Sequence, residues 1–441
     1  MSIRSSVFVM SACLTAALLV GCADGGSSVS HLAGTVPTAG QQSTLSGAQG
    51  SAGSSVHSGV RRTLSVPTCS GTGTHAFVGG NDGNVAAGTG AFVGGGQGNQ
   101  ACDEWSAIAG GYFNAVSGSY SDSFIGGGEN NVLTAVDSDS GILAGDHNEV
   151  TNAVSGVVAG EGNTVASTYS LIGSGNANTI ASAGTYSAIV SGNQNSLSGE
   201  YGFIGAGTNN TVSGEGGYIA AGGYNSVTGT GAVIDGGFEN TAGGNFATIP
   251  GGYANSAAGI YSFAAGVHAN AAQNGAFVWS DGSNGDTNLA STAAYQFLAR
   301  AAGGFTLWTN AGATVGATLA AGSGTWASAS DRNLKTDVAQ LDDAAVLEKV
   351  AVLPIERWSY KSERGVRHVG PMAQDFYAAF RVGEDDKHIT SIDEDGVALA
   401  AIKALHAQNA RLTALTATQS SQIAKLSAEV ASIRAEIRAK R

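Results

Sequence analysis

Lysine is missing from the whole stretch between Ala23 and Ala329, and arginine occurs there only as Arg61, Arg62 and Arg300. Against these three bases stand 17 acidic residues, a balance that argues against nucleic acid as a partner. From Ser330 to Arg441 there are 16 acidic and 16 basic residues, so the net charge of −13 sits in the first part once Arg4 is counted. Charged residues are only 12% of the chain, about half the usual ~25%. Proline is scarce, 5 in 441 residues, and the 67 glycines follow no Gly-X-Y period, which excludes collagen. Paired carboxylates for glycoside cleavage, an aspartate-containing nonapeptide for calcium and a flat threonine ladder for ice are not seen. No metal or cofactor motif is present, and neither is expected. Apolar residues reach 43%, enough to order most of the chain.

The N-terminus carries one charge, Arg4, before the apolar run Val7–Val20, which is too short for an ordinary membrane span. The run stops at Leu19-Val20-Gly21-Cys22. This resembles a bacterial lipoprotein lipobox, which implies removal of residues 1–21, acylation of Cys22 and a lipid anchor in the membrane. Ala23, where an aspartate would retain the protein at the inner membrane, implies the outer membrane and the cell surface. The plainer alternative is a secretory signal with a chance cysteine. Residues 22–70 read as a Gly/Ser-rich tether. Cys69 and Cys102 are the other cysteines expected in the mature chain. They either pair or remain two thiols, and the sequence leaves both open.

What fills the middle is a repeat. Asparagine recurs at 84, 99, 114, 131, 148, 163, 178, 195, 210, 225, 240, 255 and 270, with nine spacings of 15 and three of 17. Six residues before each Asn stands Val or Ile, except for Ala264 in the last copy. Two residues after each Asn the side chain is apolar, eight before it the residue is small, and three before it glycine appears in eleven of thirteen copies. The positions at −8 and −6 share a parity and point to one side of a short strand. Glycine at −3 permits a turn with positive φ. Asparagine tolerates left-handed backbone and stacks in a hydrogen-bonded ladder. Each repeat is thus expected to be one coil of a parallel β-solenoid, thirteen coils making a rod of roughly 60 Å. With about three inward side chains per coil, the core is thin, and association of several rods is expected to supply the missing burial.

Stretches such as Ala91-Phe92-Val93-Gly94-Gly95-Gly96-Gln97-Gly98-Asn99 and Tyr218-Ile219-Ala220-Ala221-Gly222-Gly223-Tyr224-Asn225 resemble the head repeats of trimeric autotransporter adhesins. The resemblance spans about residues 71–281 and implies a left-handed parallel β-roll assembled as a homotrimer. The 15-residue period is slightly longer than that family's, and no C-terminal anchor barrel follows. Attachment is therefore expected to come from the lipobox.

After Asp281 the period fails. Residues 282–329 read as a β connector, with Tyr295–Asn310 as hairpin-like strands. At Ser330 the composition shifts. The series Ser330-Asp331-Arg332-Asn333-Leu334-Lys335, Leu353-Pro354-Ile355-Glu356-Arg357-Trp358, Arg367-His368-Val369-Gly370-Pro371-Met372-Ala373-Gln374-Asp375 and Ser391-Ile392-Asp393-Glu394-Asp395-Gly396 resembles serine peptidase family 74. That family is the self-cleaving intramolecular chaperone at the end of phage tail spikes such as endosialidase, and the resemblance covers about 330–441. It implies a Ser330–Lys335 dyad that cuts the Ala329–Ser330 bond once per chain. A hydroxyl needs a base to take its proton, and lysine serves only where its surroundings favour the neutral amine. His368, with no aspartate partner indicated, reads as structural.

With Ile402 at position a, heptad a positions run Ile402, Asn409, Thr416, Ile423, Val430 and Ile437, and d positions Leu405, Leu412, Gln419, Leu426 and Ile433. This pattern suits a trimeric coiled coil over about 402–437. The fold expected is mainly β, a solenoid followed by an α+β chaperone domain ending in that coil. The function expected is a lipid-anchored trimeric surface fibre that binds an unidentified host-surface or glycan ligand. A phage-derived tail fibre or spike is the alternative.

Overall fold

The computed structural model describes residues 68–440 apart from 81, 119–121, 136–138 and 286. All of these lie in one compact unit, Val66–Arg441. The lipobox, Cys22 and most of the tether fall outside the described residues. Residues 77–281 form a parallel β-solenoid of about thirteen turns. Each turn contributes a short strand to each of two parallel sheets, one of 16 strands starting at Phe77–Val78 and one of 14 starting at Val85–Ala86. The register is coil on coil: Ile189 lies beside Ile204 in the first sheet and Leu197 beside Val212 in the second. The β-branched and leucine side chains at −6 and +2 point inward from the two sheets and meet. Ile189, Leu197, Ile204 and Val212 are all fully buried, as branched side chains on a half-buried pleat favour.

Polar ladders run beside this apolar column. In twelve successive coils, from Asn84 to Asn255, each asparagine reaches its neighbours. The Asn195 amide Nδ2 donates to Asn178 Oδ1 at 3.0 Å and to the Gly207 carbonyl of the next coil at 3.0 Å. Its own Oδ1 accepts from the backbone N–H and Nδ2 of Asn210 at 3.0 and 3.1 Å. Every ladder asparagine from Asn99 onward is buried, so each amide binds three coils together in a dry interior. A second ladder is made by serines at −8. Ser155, Ser170 and Ser187 each take the backbone N–H of the next coil on their hydroxyl. The small residues at −8 therefore hold hydrogen bonds as well as space.

The corners follow from backbone conformation. Glycine at −3 has positive φ, 119° at Gly192, and a Cβ there would lie 2.3 Å from the Gly207 carbonyl oxygen. The left-handed residue beside the ladder is not the asparagine but the one before it, as at Gln194 (φ 55°) and Tyr224 (φ 56°). Asparagine itself keeps ordinary backbone because its side chain has to enter the interior.

The thirteenth coil departs from the expected frame. Phe263 pairs with Phe277, and Ser256 pairs with Asn270, so this coil is one residue shorter than its predecessors. Asn270 consequently leaves the ladder. Asn255 Oδ1 accepts instead from the Ala269 N–H at 2.9 Å, and Ala269 and Ala271 fill the interior. The stack also runs past Asp281. Leu289–Ala290 joins the second sheet, and Phe297–Arg300 pairs in parallel with Phe277–Asp281. Only the later part of the hairpin-like segment is antiparallel: Gly304–Trp308, Gly316–Ala320 and Trp326–Ser328 form a three-stranded sheet. The second sheet's outer face carries a hydroxyl row in which Thr179, Ser196, Thr211 and Ser226 are paired coil to coil. Threonine alternates there with serine instead of forming a pure threonine ladder.

Two devices secure the ends of this stack. Cys69 and Cys102 form a disulfide with Cα atoms 5.8 Å apart. It spans the first coil, whose strands are the open edges of both sheets. Closing a loop across that 33-residue separation is worth roughly 3–4 kcal/mol in chain entropy. At the other end the Asp281 carboxylate accepts from the Ala302 N–H (2.5 Å), the Ser283 N–H (3.0 Å) and hydroxyl (2.7 Å), and Arg300 Nε (3.4 Å). These donors, the Ala302 N–H foremost, hold its carboxyl well below the usual carboxylate range. A depressed folded pKa contributes stability that is present above the ordinary aspartate range near pH ~4 and is lost as pH falls below it. Asp281→Asn is therefore expected to speed hydrogen exchange of the Ala302 amide at pH 7, with the difference from wild type shrinking in acid.

The C-terminal part is small. Helix α1 (Asp343–Val352) is capped by Asp342, which accepts from the N–H groups of Ala344 and Ala345. A two-stranded antiparallel pair, Glu356–Trp358 with His368–Gly370, precedes α2 (Ala373–Phe380). Helix α3 (Ser391–Ala439) has 49 residues, or ~73 Å. Its first turns pack on α1 through Val346, Ala400 and Ala401, and Lys403 pairs with Asp343 at 2.5 Å. Beyond that contact the heptad side chains are uncovered: Ile423 is 64% exposed and Leu426 60%. Among the described residues no helix is long and apolar enough to cross a membrane.

Candidate active site

Ser330 stands two residues past the end of the last strand of the antiparallel sheet, Trp326–Ser328. Ser328 pairs with Ala317, and the Ala329 N–H donates to the Gly316 carbonyl at 3.1 Å. The chain is thus held up to the residue before the serine. After it comes a 3-10 turn, Arg332–Leu334. Asp331 caps this turn by accepting from the Asn333 N–H at 2.9 Å and from Asn333 Nδ2 at 3.1 Å, as short acidic side chains do at helix starts. The Lys335 N–H closes the turn on the Arg332 carbonyl at 3.2 Å. One tight turn reverses the chain and returns the lysine side chain to the serine. Lys335 Nζ donates to Ser330 Oγ at 2.7 Å.

The two residues singled out in the sequence are therefore in direct contact, with the Ala329–Ser330 bond beside them. The contact has chemical use in one direction. With a neutral amine the same 2.7 Å approach lets the hydroxyl donate to nitrogen, and the oxygen gains nucleophilic character as its proton leaves. In the single chain Ser330 and Lys335 are both exposed, so water surrounds the pair unless another surface covers it.

His368 stands elsewhere in the domain's fabric. Its ring packs against Trp358 at 4.7 Å and edge-on to Tyr360 at 5.5 Å, and its Nε2 is 3.6 Å from Glu363. Among the described residues no three His, Cys, Asp or Glu side chains gather as a metal site would require. Sequence reading did not single out Asp331 and Asn333, although an aspartate two residues before an asparagine is a legible turn signal.

Residues 330–382 match the peptidase S74 family, described as the chaperone of endosialidase. This segment is a chaperone-of-endosialidase domain. The match starts at Ser330 itself and ends after α2, so α3 lies beyond it. A search of curated proteins gives no match to the chain. A parallel solenoid followed by this chaperone domain is a tail-spike-like arrangement.

Proposed function

We propose that the protein is a lipid-anchored homotrimeric surface fibre whose C-terminal domain brings three chains together and then removes itself by cutting before Ser330. The observation that carries the cut is the 2.7 Å approach of Lys335 Nζ to Ser330 Oγ at the first residue of the matched domain. Assembly first and cutting second follows from the exposure of that pair: neighbouring subunits would exclude water from it. The chaperone role has a physical rationale in the repeat. Near-identical coils pair with little local penalty when two chains slip by one coil, so chain ends fixed in register by α3 would set the rod before it closes. The solenoid remains as the lasting fibre and presents the surface that meets a host ligand. The chaperone match also favours a second reading, a phage-derived tail fibre or spike, in which Cys22 has no lipid.

Intact mass of the mature protein, with and without reduction, tests the reading. Two pieces are expected. The long one starts at an acylated Cys22, ends at Ala329 and gains two hydrogens on reduction. The short one holds the 112 residues Ser330–Arg441. Cys22→Ser is expected to move the long piece from the membrane fraction to the soluble one. An unmodified Cys22 in the wild type would favour the tail-fibre reading, and an uncut wild type would remove the peptidase.

A further inference from the structure

The solenoid has one outer face that differs from the rest. On the first sheet two residues per coil point outward, at −7 and −5 from the ladder asparagine. In the ten coils from Phe77 to Ala220 neither position carries a charge, and Asp235 is the first acid met beyond them. Elsewhere on the described coils acids stand at other positions, such as Asp82, Glu129, Asp146 and Glu161 two residues before the ladder asparagine. Two copies of so acidic a rod repel each other through any charged face. The second sheet's outer face is nearly as free of charge, with Glu149 its one acid at +1 or +3 from Val85 to Ala258, so charge alone does not single out the first sheet's face. The first sheet's face is also apolar and uncovered: Phe92, Phe124 and Leu171 are 41%, 41% and 48% exposed.

Large and small side chains alternate on it in a particular way. Phe92, Phe124 and Phe203 stand at −7, each above a glycine at −5 of the same coil, Gly94, Gly126 and Gly205, and each ring edge lies 3.2–3.4 Å from where that glycine's Cβ would be. Three coils reverse the order, with Gly141, Gly156 and Ala188 at −7 and Leu143, Val158 and Val190 at −5. These three are 58%, 42% and 50% exposed. Nine of the ten coils carry one large apolar residue, and the reversal shifts it along the strand by two residues, ~7 Å. Over Gly141 and Gly156, between Phe124 and Leu171, it leaves a hollow of about 500 Å3, whose lining is mostly apolar and includes one acid, Asp139.

We infer that this outer face of the first sheet is where copies of the chain pack on one another, coil against the same coil, and that the reversed coils act as a register key. In register, like coils meet at each level and knobs and gaps line up. A slip of one coil next to Gly141 sets a phenylalanine knob against a leucine displaced along the strand and leaves the hollow unfilled, a loss of contact that uniform repeats do not impose. The uncovered apolar side chains of α3 call for the same kind of neighbour, a parallel copy.

The inference rests on the trimer reading, and one experiment separates the two. Val190→Cys and, on the second sheet's outer face, Thr211→Cys are made separately in the full chain, oxidised mildly and run without reductant, with the particle mass taken by light scattering. A three-chain mass is expected for both. Around a three-fold axis two of three thiols pair, so up to about two-thirds of Val190→Cys chains should run as covalent dimers, while Thr211→Cys chains stay single. In a Leu143→Cys/Val158→Cys chain, whose two thiols sit on adjacent coils, peptide mapping is expected to find only 143–143 and 158–158 links. A three-chain particle in which Thr211→Cys links and Val190→Cys does not would overturn the face and leave the trimer. Mixed 143–158 links would overturn the register key, and a single-chain mass would overturn the trimer and the face together.

Discussion

Asn195→Ala is expected to cost about 3–5 kcal/mol locally and to open the solenoid in its middle. The side chain is 1% exposed and takes part in bonds to the coils on either side. Its removal strips Gly207 and Ser191 carbonyls of a donor and leaves Asn178 Oδ1 with fewer partners. It also leaves the backbone N–H and Nδ2 of Asn210 without the oxygen they share. Each buried polar group left unpaired costs about 1–3 kcal/mol, and an alanine cavity here is too enclosed for water to replace two amide functions cheaply. Asn195→Asp is the sharper control: it keeps the acceptor for Asn210 but loses the donor and buries a carboxylate beside Asn178 Oδ1. In a stacked repeat, stability is close to a sum of nearest-neighbour terms, so the loss should be local. Hydrogen exchange should show faster opening at coils 178–210, with the coils near Asn99 little changed. Asn270→Ala, outside the ladder, should leave exchange unaltered. Unchanged protection at 178–210 in the alanine variant would mean that the ladder contributes no net stability.

That contrast between Asn195 and Asn270 marks where the sequence is legible. Positions locked to the coil period can be read from spacing alone, because interior side chains must recur at one place per turn whatever the outside does. Ile189, Leu197 and the ladder asparagines are of this kind. The three 17-residue coils do not disturb the reading, since their two extra residues fall between +2 and −8, outside both strands. Asn270 misleads because the spacing of 15 continues while the backbone coil shortens by one. What decides its place is the burial of Ala269 and Ala271, and alanine carries almost no pattern. Phe297–Arg300 was expected in a hairpin because alternation reports that a strand has two faces and says nothing of its partner's direction. The stacking of Phe297 on Phe277 at 4.7 Å continues the solenoid instead. At the candidate site the serine and lysine were legible only through family resemblance, since five residues between them is a common spacing. The turn that joins them is made by Asp331 and Asn333, a local signal that says nothing of where the turn returns the lysine side chain. The cover over Ser330 and Lys335 is not in one chain's sequence pattern at all, because it would be made of another chain's atoms.

Lys335→Arg is expected to stop the cut while leaving the assembly intact. Arginine can still donate a hydrogen bond to Ser330 Oγ, so the turn made by Asp331 and Asn333 has no reason to change. It cannot act as the base, because a guanidinium does not give up its proton in a protein. Lys335→Ala removes the base altogether and should slow cleavage by about 10²–10⁴-fold. Ser330→Ala removes the nucleophile and should abolish it. In each case the uncut chain should still form a three-chain particle, heavier than the processed fibre by the three retained C-terminal pieces, since neither the apolar face of the first sheet nor α3 is touched. A fourth variant separates chemistry from assembly. Ile423→Asn with Leu426→Asn leaves Ser330 and Lys335 in place but puts polar groups where α3 now exposes adjacent a and d side chains. If packing of α3 against its copies is what closes water out of the dyad, this variant should also stay uncut, as single chains. The readout is one gel and one light-scattering trace per variant, with the new N-terminus of the wild-type fragment sequenced. Cleavage before Ser330 in Lys335→Arg at the wild-type rate would show that another group takes the serine proton. Rapid cleavage of unassembled Ile423→Asn/Leu426→Asn chains would show that the exposed 2.7 Å pair needs no cover, and that the cut does not wait for the trimer.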